Sequence, residues 1–222
     1  MTPSTPQTEA TMTLADAGRV FIRFTSPRVL AITAAVAWML KSVEGDWSRT
    51  DALVAGTILL LWPVQEWLLH VFVLHFRPFK LFGRTIDLLN AREHRKHHRD
   101  PWNLSLVFIP TFVFFYSIPV LWTVAHLAAP RPAVASIALA VYFTLSLHYE
   151  WAHYLAHIRY VPRTKHYRRV VRHHRLHHFK NERYWYGVSM LSGDYLLRTA
   201  PDHRTVPTSD NVRSLGLESE AA

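Results

Sequence analysis

The stretch HHRLHHFKN, residues 173–181, places four histidines within six positions, in a segment that also carries Arg175 and Lys180. Protonated imidazoles at this spacing would repel one another and the neighbouring cations, so the charged cluster gains no obvious stability. A metal ion is the most common partner of neutral imidazole in proteins. The segment therefore suggests a metal site, and the rest of the chain must supply its other ligands.

Outward from this segment, the chain alternates between apolar windows and basic linkers. Half of the 222 residues are hydrophobic, yet the formal net charge is +9. Nearly all of the apolar residues fall in four windows: Arg28–Leu40, Ala52–Phe76, Leu104–Ala129 and Ala133–His157. Three windows are long enough to cross a bilayer, which takes roughly 20 residues, and the first is marginal until it is extended to Val43. The pattern predicts an all-α integral membrane protein built on a four-helix bundle.

The charges predict an orientation for that bundle. Lysine and arginine concentrate in the linkers 77–103 and 159–183, whereas the connector 44–51 is acidic. By the positive-inside rule, both basic linkers and both termini lie on the cytoplasmic side, where the histidines would form a helical cap. Because the cations flank apolar windows as cytoplasmic loops do, we expect no nucleic acid partner.

Three segments follow from this organisation. Residues 1–27 are interpreted as a polar N-terminal segment with an interfacial amphipathic helix over Thr13–Ser26, residues 28–200 as the membrane domain, and residues 201–222 as a polar flexible tail. A soluble protein with buried core helices is the alternative. The absence of Lys, Arg and Asp from the three later windows argues against it.

Composition also excludes several kinds of site. The chain has no cysteine, which excludes disulfides, thiolate metal sites and cysteine-ligated iron–sulfur clusters. Its seven glycines form no GxGxxG or phosphate-binding loop, so we expect no nicotinamide, flavin or nucleotide site of those types. Residues 1–18 lack the apolar stretch of a secretory signal, and no targeting cleavage is expected.

Ten of the fifteen histidines fall into four spaced groups. These groups are His70 and His75, then His94, His97 and His98, then His153 and His157, and last His174, His177 and His178. On a helix, positions i, i+3 and i+4 share a face, so each HxxHH group can present three rings together. Successive residues still diverge by about 100°, so one group could serve two ions. The i, i+5 spacing of the first group predicts a helix end or a local distortion.

Ten imidazoles are too many for one zinc, iron or copper ion. Two ions with about five nitrogens each would use them all and leave one position open on each, if coordination is near octahedral. Neutral ligands leave the metal charge uncompensated, which calls for carboxylates nearby. Glu66, Asp100 and Glu150 are the candidates for that second layer, and Glu150 shares a helix face with His153 and His157.

With these groups in place, the chain resembles the fatty acid hydroxylase and sterol desaturase superfamily of membrane enzymes. The resemblance covers about Leu60 to Thr199, and the segments HRKHHRDPWNLSLVFIP (94–110), HYEWAHYLAH (148–157) and HRLHHFKNERYWYGVSMLSGDYLLRT (174–199) are similar to the fatty acid 2-hydroxylase pattern. It implies that residues 28–200 form a membrane di-iron oxygenase domain. Such an enzyme uses two iron ions, with zinc as an alternative occupant, and O2 to hydroxylate an unactivated C–H bond of a lipid or fatty acyl substrate.

The resemblance also implies that these ten histidines are the metal ligands, carried onto the matching positions. We expect them to divide into two sets of five, although the spacing leaves the exact split open: His70, His75, His94, His98 and His177 on one ion, and His97, His153, His157, His174 and His178 on the other. Relatives with a fused haem-binding domain carry a His-Pro-Gly-Gly motif, which is absent from this sequence. We therefore expect a separate ferredoxin- or cytochrome-like electron donor that docks on the basic segment Arg159–Arg183.

The histidine pattern leaves other activities open. A lipid or sterol desaturase, or a carotenoid oxygenase, would carry the same signature. A non-redox membrane metal-binding or transport protein is a different class, but transport sites usually lie near the bilayer midplane, whereas these histidines gather at one boundary. Metal-assisted hydrolysis is a third class, disfavoured by the number of imidazoles and the lack of a clear carboxylate ligand.

Overall fold

The computed structural model describes residues 12–217, so residues 1–11 and 218–222 of the predicted terminal segments lie outside the described part of the chain. The helices are α1 Leu14–Phe21, α2 Thr25–Glu44, α3 Arg49–Leu69, a π-helical turn His70–Leu74, α4 Leu89–Arg99, α5 Leu104–Val107, α6 Thr111–Ala128, α7 Pro132–Ala156, α8 Lys165–Phe179 and α9 Ser192–Leu196. Two short strands, β1 Phe79–Leu81 and β2 Arg84–Ile86, lie between the π-helical turn and α4.

Helix α7 is the central element of the fold. It packs against α2, α3, α6 and α8, and it is buried along most of its length. Small residues on its surface, including Ala135 and Ala140, are fully buried and let the neighbouring helices approach closely. Its last turns carry His153 and His157, so the best-packed helix of the protein also positions two of the candidate ligands.

The helices confirm a multi-pass membrane architecture, though not its exact number of spans. Three segments are long and apolar enough to cross a bilayer: Arg49–Leu74, Leu104–Ala128 and Pro132–Ala156. The pair α1 and α2 adds a fourth if it counts as one bent span. Large apolar side chains on these segments, such as Leu60, Phe115 and Leu127, are exposed and would face lipid.

Two prolines move helix boundaries away from their predicted positions. The predicted helix Thr13–Ser26 ends at Phe21, and α2 begins at Thr25 after an 86° bend, three residues before the predicted start of the first span at Arg28. Pro27 cannot continue an upstream helix because it lacks an N–H and its ring clashes with the preceding turn. Pro110 likewise separates α5 from α6 within a single predicted window.

A buried ion pair closes the end of the bundle opposite the histidines. Lys41 is fully buried, and its Nζ lies 2.9 Å from Asp51 Oδ2 and 2.8 Å from the Asp46 carbonyl oxygen. Asp51 also forms a capping box with Ser48, which starts α3 at Arg49, three residues before the predicted window. The acidic connector 44–51 is therefore a structured turn that joins α2 to α3.

The π-helical turn confirms the distortion predicted from the spacing of His70 and His75. The backbone N–H of His75 donates to the His70 carbonyl at 3.0 Å, an i to i+5 bond that widens the helix by one residue. This extra residue brings both rings to the same side, with centroids 4.9 Å apart. A regular α-helix would leave the two side chains on different faces.

The structure corrects the all-α prediction at one place. Strands β1 and β2 pair as an antiparallel hairpin whose residues are all exposed. Phe82 and Gly83 connect them with φ angles of 49° and 74°. Positive φ at both central residues is typical of the tight turn that fits the twist of a two-stranded ribbon.

The predicted flexible tail is also wrong within residues 201–217. Val206, Val212 and Leu215 are buried, and the segment folds back over α4 and α8. The backbone N–H of Ser209 donates to the Lys180 carbonyl at 2.8 Å. Three separated apolar residues in a polar stretch give no periodic signal, so composition alone suggests a loose chain.

Helix α9 docks against α3 at a position where only glycine fits. A Cβ on Gly193 would overlap the Pro63 carbonyl oxygen and lie 3.5 Å from the Trp67 Cβ. The absence of that carbon lets the two backbones touch. The close approach fixes the loop that precedes α9, which reaches the histidines.

Gly193→Ala should therefore lower the melting temperature of the detergent-solubilised protein, because overpacking at a rigid backbone contact costs about 1–3 kcal/mol. Hydrogen exchange should become faster in residues 185–199. Gly56→Ala is the matched control, since a Cβ there meets no heavy atom within 4 Å. Equal melting temperatures for the two variants would show that the α9 contact is not tight.

Candidate metal centre

The structure brings the ten spaced histidines together in two groups of five. The first group, called group A, contains His70, His75, His94, His98 and His177, and the second, group B, contains His97, His153, His157, His174 and His178. Within each group, one ring nitrogen from every member lies within 4.8 Å of all the others. The membership of the two groups matches the split that the sequence analysis gives.

Adjacent histidines on one helix enter different groups. His97 and His98 follow one another on α4, and their ring centroids are 6.2 Å apart with planes at 73°. His177 and His178 repeat this arrangement on α8. Because successive helical positions diverge by about 100°, each helix divides its rings between the two groups. The groups therefore lie side by side, with the α4 and α8 histidines shared between them.

The rings of His98 and His177 show why this arrangement calls for a cation. Nδ1 of His98 lies 2.9 Å from the Val212 carbonyl oxygen, and Nδ1 of His177 lies 2.8 Å from the Tyr184 carbonyl oxygen. A carbonyl oxygen only accepts hydrogen bonds, so each neutral ring holds its proton on Nδ1 and a lone pair on Nε2. The two Nε2 atoms are 3.2 Å apart. Two facing lone pairs repel, and a cation bound by both relieves that repulsion.

Group B contains the same kind of contact. Nε2 of His153 lies 3.2 Å from Nε2 of His97, and Nε2 of His174 lies 3.0 Å from Nε2 of His157. Both ring nitrogens of His178 are buried without a hydrogen-bond partner among the described residues. Buried polar atoms are normally satisfied, so a set of buried nitrogens without hydrogen-bond partners at one place fits a metal-binding site.

Burial keeps these imidazoles neutral. For the eight rings outside the candidate spans, burial lowers the pKa well below its usual value, and neighbouring imidazoles lower it further. These rings are His75, His94, His97, His98, His157, His174, His177 and His178. Neutral imidazole is the form that binds metal. A nitrogen-only donor set of this kind suits iron, zinc, copper or nickel.

Main-chain carbonyls orient three of the group A rings. Besides the contacts of His98 and His177, Nδ1 of His70 lies 2.6 Å from the Tyr186 carbonyl oxygen. Such contacts fix the tautomer and the ring plane, and they raise the basicity of the nitrogen that faces the metal. Sequence reasoning missed all three partners, because a backbone carbonyl can come from any residue type.

An apolar cavity of about 200 Å³ opens beside both groups. It lies between α3, α4 and α7 and the segment that links α5 to α6. Rings from group A (His70, His94) and group B (His97, His153) line part of it. Its apolar walls include Trp62, Leu69, Val73, Phe108, Val113 and Tyr149. The cavity can therefore hold a hydrocarbon chain with one carbon against the histidines.

Comparison with known proteins places this fold and site in a family. The model of the family described as fatty acid hydroxylase matches residues 55–199, which include all ten histidines. This chain belongs to the fatty acid hydroxylase family. The family membership inferred from the quoted motifs is confirmed, and so is the closeness to 2-hydroxylases.

Two relatives show how far the likeness extends. Dihydroceramide fatty acyl 2-hydroxylase FAH2 of Arabidopsis thaliana is 30% identical over 149 residues, which are 67% of this chain and 61% of that protein. Fatty acid 2-hydroxylase of Rattus norvegicus is 26% identical over 141 residues, which are 64% of this chain and 37% of that protein. The chain thus spans less than two thirds of the length of either relative.

A solved structure has the same fold as this chain. Full-length scs7p, in which only the hydroxylase domain is visible, aligns with a TM-score of 0.63 and 17% identity. The alignment covers 90% of this chain and 70% of that chain. At this identity, the likeness establishes a common arrangement of helices.

Within the family-matched region, Glu66 supports the site through a loop. Its carboxylate accepts hydrogen bonds from the backbone N–H of Val188 and, at 2.7 Å each, from the N–H and hydroxyl of Ser189. Asp194 holds the other end of the same loop by accepting from the N–H groups of Tyr186 and Gly187, at 3.0 and 2.6 Å. The two carboxylates together position the carbonyls that orient His70 and His177. Asp194 lies within the motif segment 174–199, but its spacing in the sequence did not indicate that it would hold this loop.

The other two predicted carboxylates lie in different surroundings. Glu150 is fully buried, and its Oε1 accepts from the Ser26 hydroxyl at 2.5 Å and from the Ile109 N–H at 2.8 Å, so it joins α7 to α2 and to the segment before α6. Asp100 is exposed at the end of α4. Across residues 12–217, neither these two nor Glu66 hydrogen-bonds a histidine, so their place in the second layer around the metal stays a prediction. Backbone carbonyls instead hold the Nδ1 atoms of three group A rings.

Replacing adjacent histidines should remove different ions. His97→Ala breaks group B and His98→Ala breaks group A, so each purified variant should retain about one of the two metal ions, because the remaining group keeps its five ligands. Metal per chain is measured by elemental analysis. His126→Ala serves as the control, since that ring is exposed on α6 and bonds only its own helix. If either variant kept two ions, the division into groups A and B would be wrong.

Proposed function

We propose that this protein hydroxylates an unactivated C–H bond of a lipid or fatty acyl chain, using O2 and external electrons. The carrying observation is the largely apolar cavity that is lined by rings from both histidine groups. Family membership and the 2-hydroxylase names of the relatives support the same activity. The exposed apolar helices support a membrane location, where such substrates reside.

Groups A and B would hold two iron ions, with zinc as an alternative occupant. Bound iron supplies the capacity to activate O2 for oxidation of a C–H bond. The chain itself contributes the shape of the site. Phe108 and Val113 line the cavity and would contact the hydrocarbon chain, and Trp62 bounds the cavity on the α3 side. These walls exclude water from the carbon that faces the histidines. Tyr149 lines the cavity and lies beside His153, with ring centroids 5.8 Å apart. Its phenol is therefore close to a proposed metal ligand.

The reaction is tested with membranes or purified protein loaded with iron, an acyl lipid, an electron source and 18O-labelled O2. The expected product carries one labelled hydroxyl group, because the inserted oxygen comes from O2. An alkene without label would instead support a desaturase. Activity that persists without O2 in zinc-loaded protein would support hydrolysis, and metal binding with no lipid product would support a transport or storage role.

A pair of tryptophan substitutions tests whether the cavity holds the acyl chain. Val113→Trp fills the cavity wall, so turnover should fall at least about tenfold for long chains and less for short ones, while metal content stays unchanged. Val120→Trp is the matched control on the same helix, at a position that is 56% exposed and is not among the residues that line the cavity. Equal turnover by the two variants would place the substrate elsewhere.

Electrons would arrive through a basic groove on the outer side of α8, within the predicted segment Arg159–Arg183. The groove has a volume of about 760 Å³ and an apolar floor. Its rim carries six cations: Lys165, Arg168, Arg169, Arg172, Arg175 and Lys180. Arg175 donates to the carbonyls of Ala156 and Ile158, at 2.8 and 2.9 Å, on either side of His157. An acidic ferredoxin- or cytochrome-like donor fits this charge and would dock beside group B.

Docking of the donor at this groove implies an orientation of the protein in the membrane. The groove and the histidines lie at the same end of α7 as the basic linkers 77–103 and 159–183, and the acidic connector 44–51 lies at the other end. The positive-inside rule then favours a cytoplasmic histidine end with both termini on that side. A soluble cytoplasmic donor could reach the groove directly.

Charge reversal at the groove should slow donor-dependent turnover. The double variant Lys165→Glu, Arg169→Glu should lose turnover at low salt, and the difference from wild type should shrink at 1 M salt, where the Debye length is about 3 Å. Lys80→Glu with Arg84→Glu is the matched control, because it reverses one exposed lysine and one exposed arginine in the β1–β2 hairpin. Unchanged turnover at low salt in the groove variant would rule out this docking site.

A further inference from the structure

We propose that the C-terminal segment, residues 205–217, supports the metal site formed by group A. It orients His98 through the Val212 carbonyl and the Arg213 guanidinium. This segment is called the C-terminal clasp below. The inference rests on the proposed metal centre and does not depend on which substrate is oxidised. The clasp lies beyond residue 199, where the match to the family model ends, so the family pattern does not specify it.

The clasp is held in place by three buried apolar side chains and by hydrogen bonds to the end of α8. Val206, Val212 and Leu215 are 7, 8 and 6% exposed, which is the burial of a folded segment. The Asn181 side-chain amide donates to the Pro207 carbonyl at 3.2 Å, and the Ser209 N–H donates to the Lys180 carbonyl. These bonds fasten the clasp to the end of α8, directly after His177 and His178.

The Val212 carbonyl decides which nitrogen of His98 is free. It accepts from Nδ1 at 2.9 Å, and His98 is fully buried, so water does not offer the ring another partner. With the proton fixed on Nδ1, the lone pair on Nε2 faces the Nε2 atoms of His94 and His177, each 3.2 Å away. For His70 and His177, the carbonyls of Tyr186 and Tyr184 in the loop before α9 hold the proton on Nδ1 in the same way. For His98, this contact comes from the clasp.

Arg213 fixes the helix that carries His98. Its guanidinium donates to the carbonyls of His98 and Arg99, at 3.4 and 3.3 Å, which are among the last carbonyls of α4 and have no partner within the helix. The same guanidinium lies over the Phe179 ring, 5.2 Å from its centroid. Arg213 thus joins the C-terminal ends of α4 and α8, the two helices that divide their histidines between the groups.

The clasp should act on one ion and not on the other. Within the described chain, the group B rings have no hydrogen bond to residues 205–217. Loss of a partner that orients a ligand typically weakens metal affinity about 10–100-fold. Releasing the clasp should therefore weaken the group A ion by that factor and leave the group B ion in place.

Two full-length variants test the clasp. Val212→Arg places a charge at a buried position and should displace the segment, and Arg213→Ala removes the bonds to the α4 carbonyls. In each, a metal-chelating dye should withdraw one of the two ions about 10–100-fold more readily than in wild type. Thr208→Arg is the control, because it adds the same charge at an exposed position of the clasp. Circular dichroism and the melting temperature establish that the variants are folded.

Two outcomes overturn the inference. If both ions stay as tightly bound as in wild type, the clasp has no influence on group A. If both ions are lost together, or the protein unfolds, the clasp is a general support of the fold. Adding His174→Ala, which breaks group B, identifies the ion: the single remaining ion should be lost when Val212→Arg is introduced. A wild-type protein that binds no metal would instead overturn the metal centre itself, and an inactive protein with two ions would overturn only the hydroxylase proposal.

Discussion

The facing of unprotonated imidazole nitrogens is the constraint on which the rest of this structure depends. His98 and His177 each hold a proton on the outer nitrogen, and their inner nitrogens stand 3.2 Å apart in a buried site. Protonating the rings would bring several positive charges into a region where burial already depresses the pKa of each imidazole. A metal ion is the one partner that satisfies all of these lone pairs without adding protons. The other features of the fold can be understood as ways of holding the rings in that arrangement.

Several elements share this work. Helix α7 is packed on all sides and brings two ligands to its end, while the π-helical turn brings His70 and His75 to one side. Glu66 and Asp194 hold the loop whose carbonyls orient His70 and His177, and Gly193 lets that loop dock on α3. The C-terminal segment completes the set by orienting His98. Rigid support of this kind keeps metal ligands close to a productive geometry.

The sequence predicted which histidines lie together, because histidine spacing on a helix is a strong local signal. The divergence of His97 and His98 by about 100° follows from helix geometry alone, and it already separates the two groups. The apolar windows predicted the spans for a similar reason, since membrane-spanning helices require long uninterrupted apolar runs. What could not be predicted rests on the main chain or on distant contacts: the carbonyls of Tyr184, Tyr186 and Val212, the role of Asp194 and the folded tail. The exposed position of Asp100 at the end of α4 is a further feature that its sequence position did not reveal.

The most direct test of this account is X-ray absorption at the metal edge of the purified, iron-loaded protein. Two groups of five imidazoles predict a first shell dominated by nitrogen, with the multiple-scattering pattern of about five imidazole rings per ion and no sulfur. A shell of mainly oxygen, or one or two imidazoles per ion, would contradict the account, since most of the buried rings would then lack the cation that explains their arrangement.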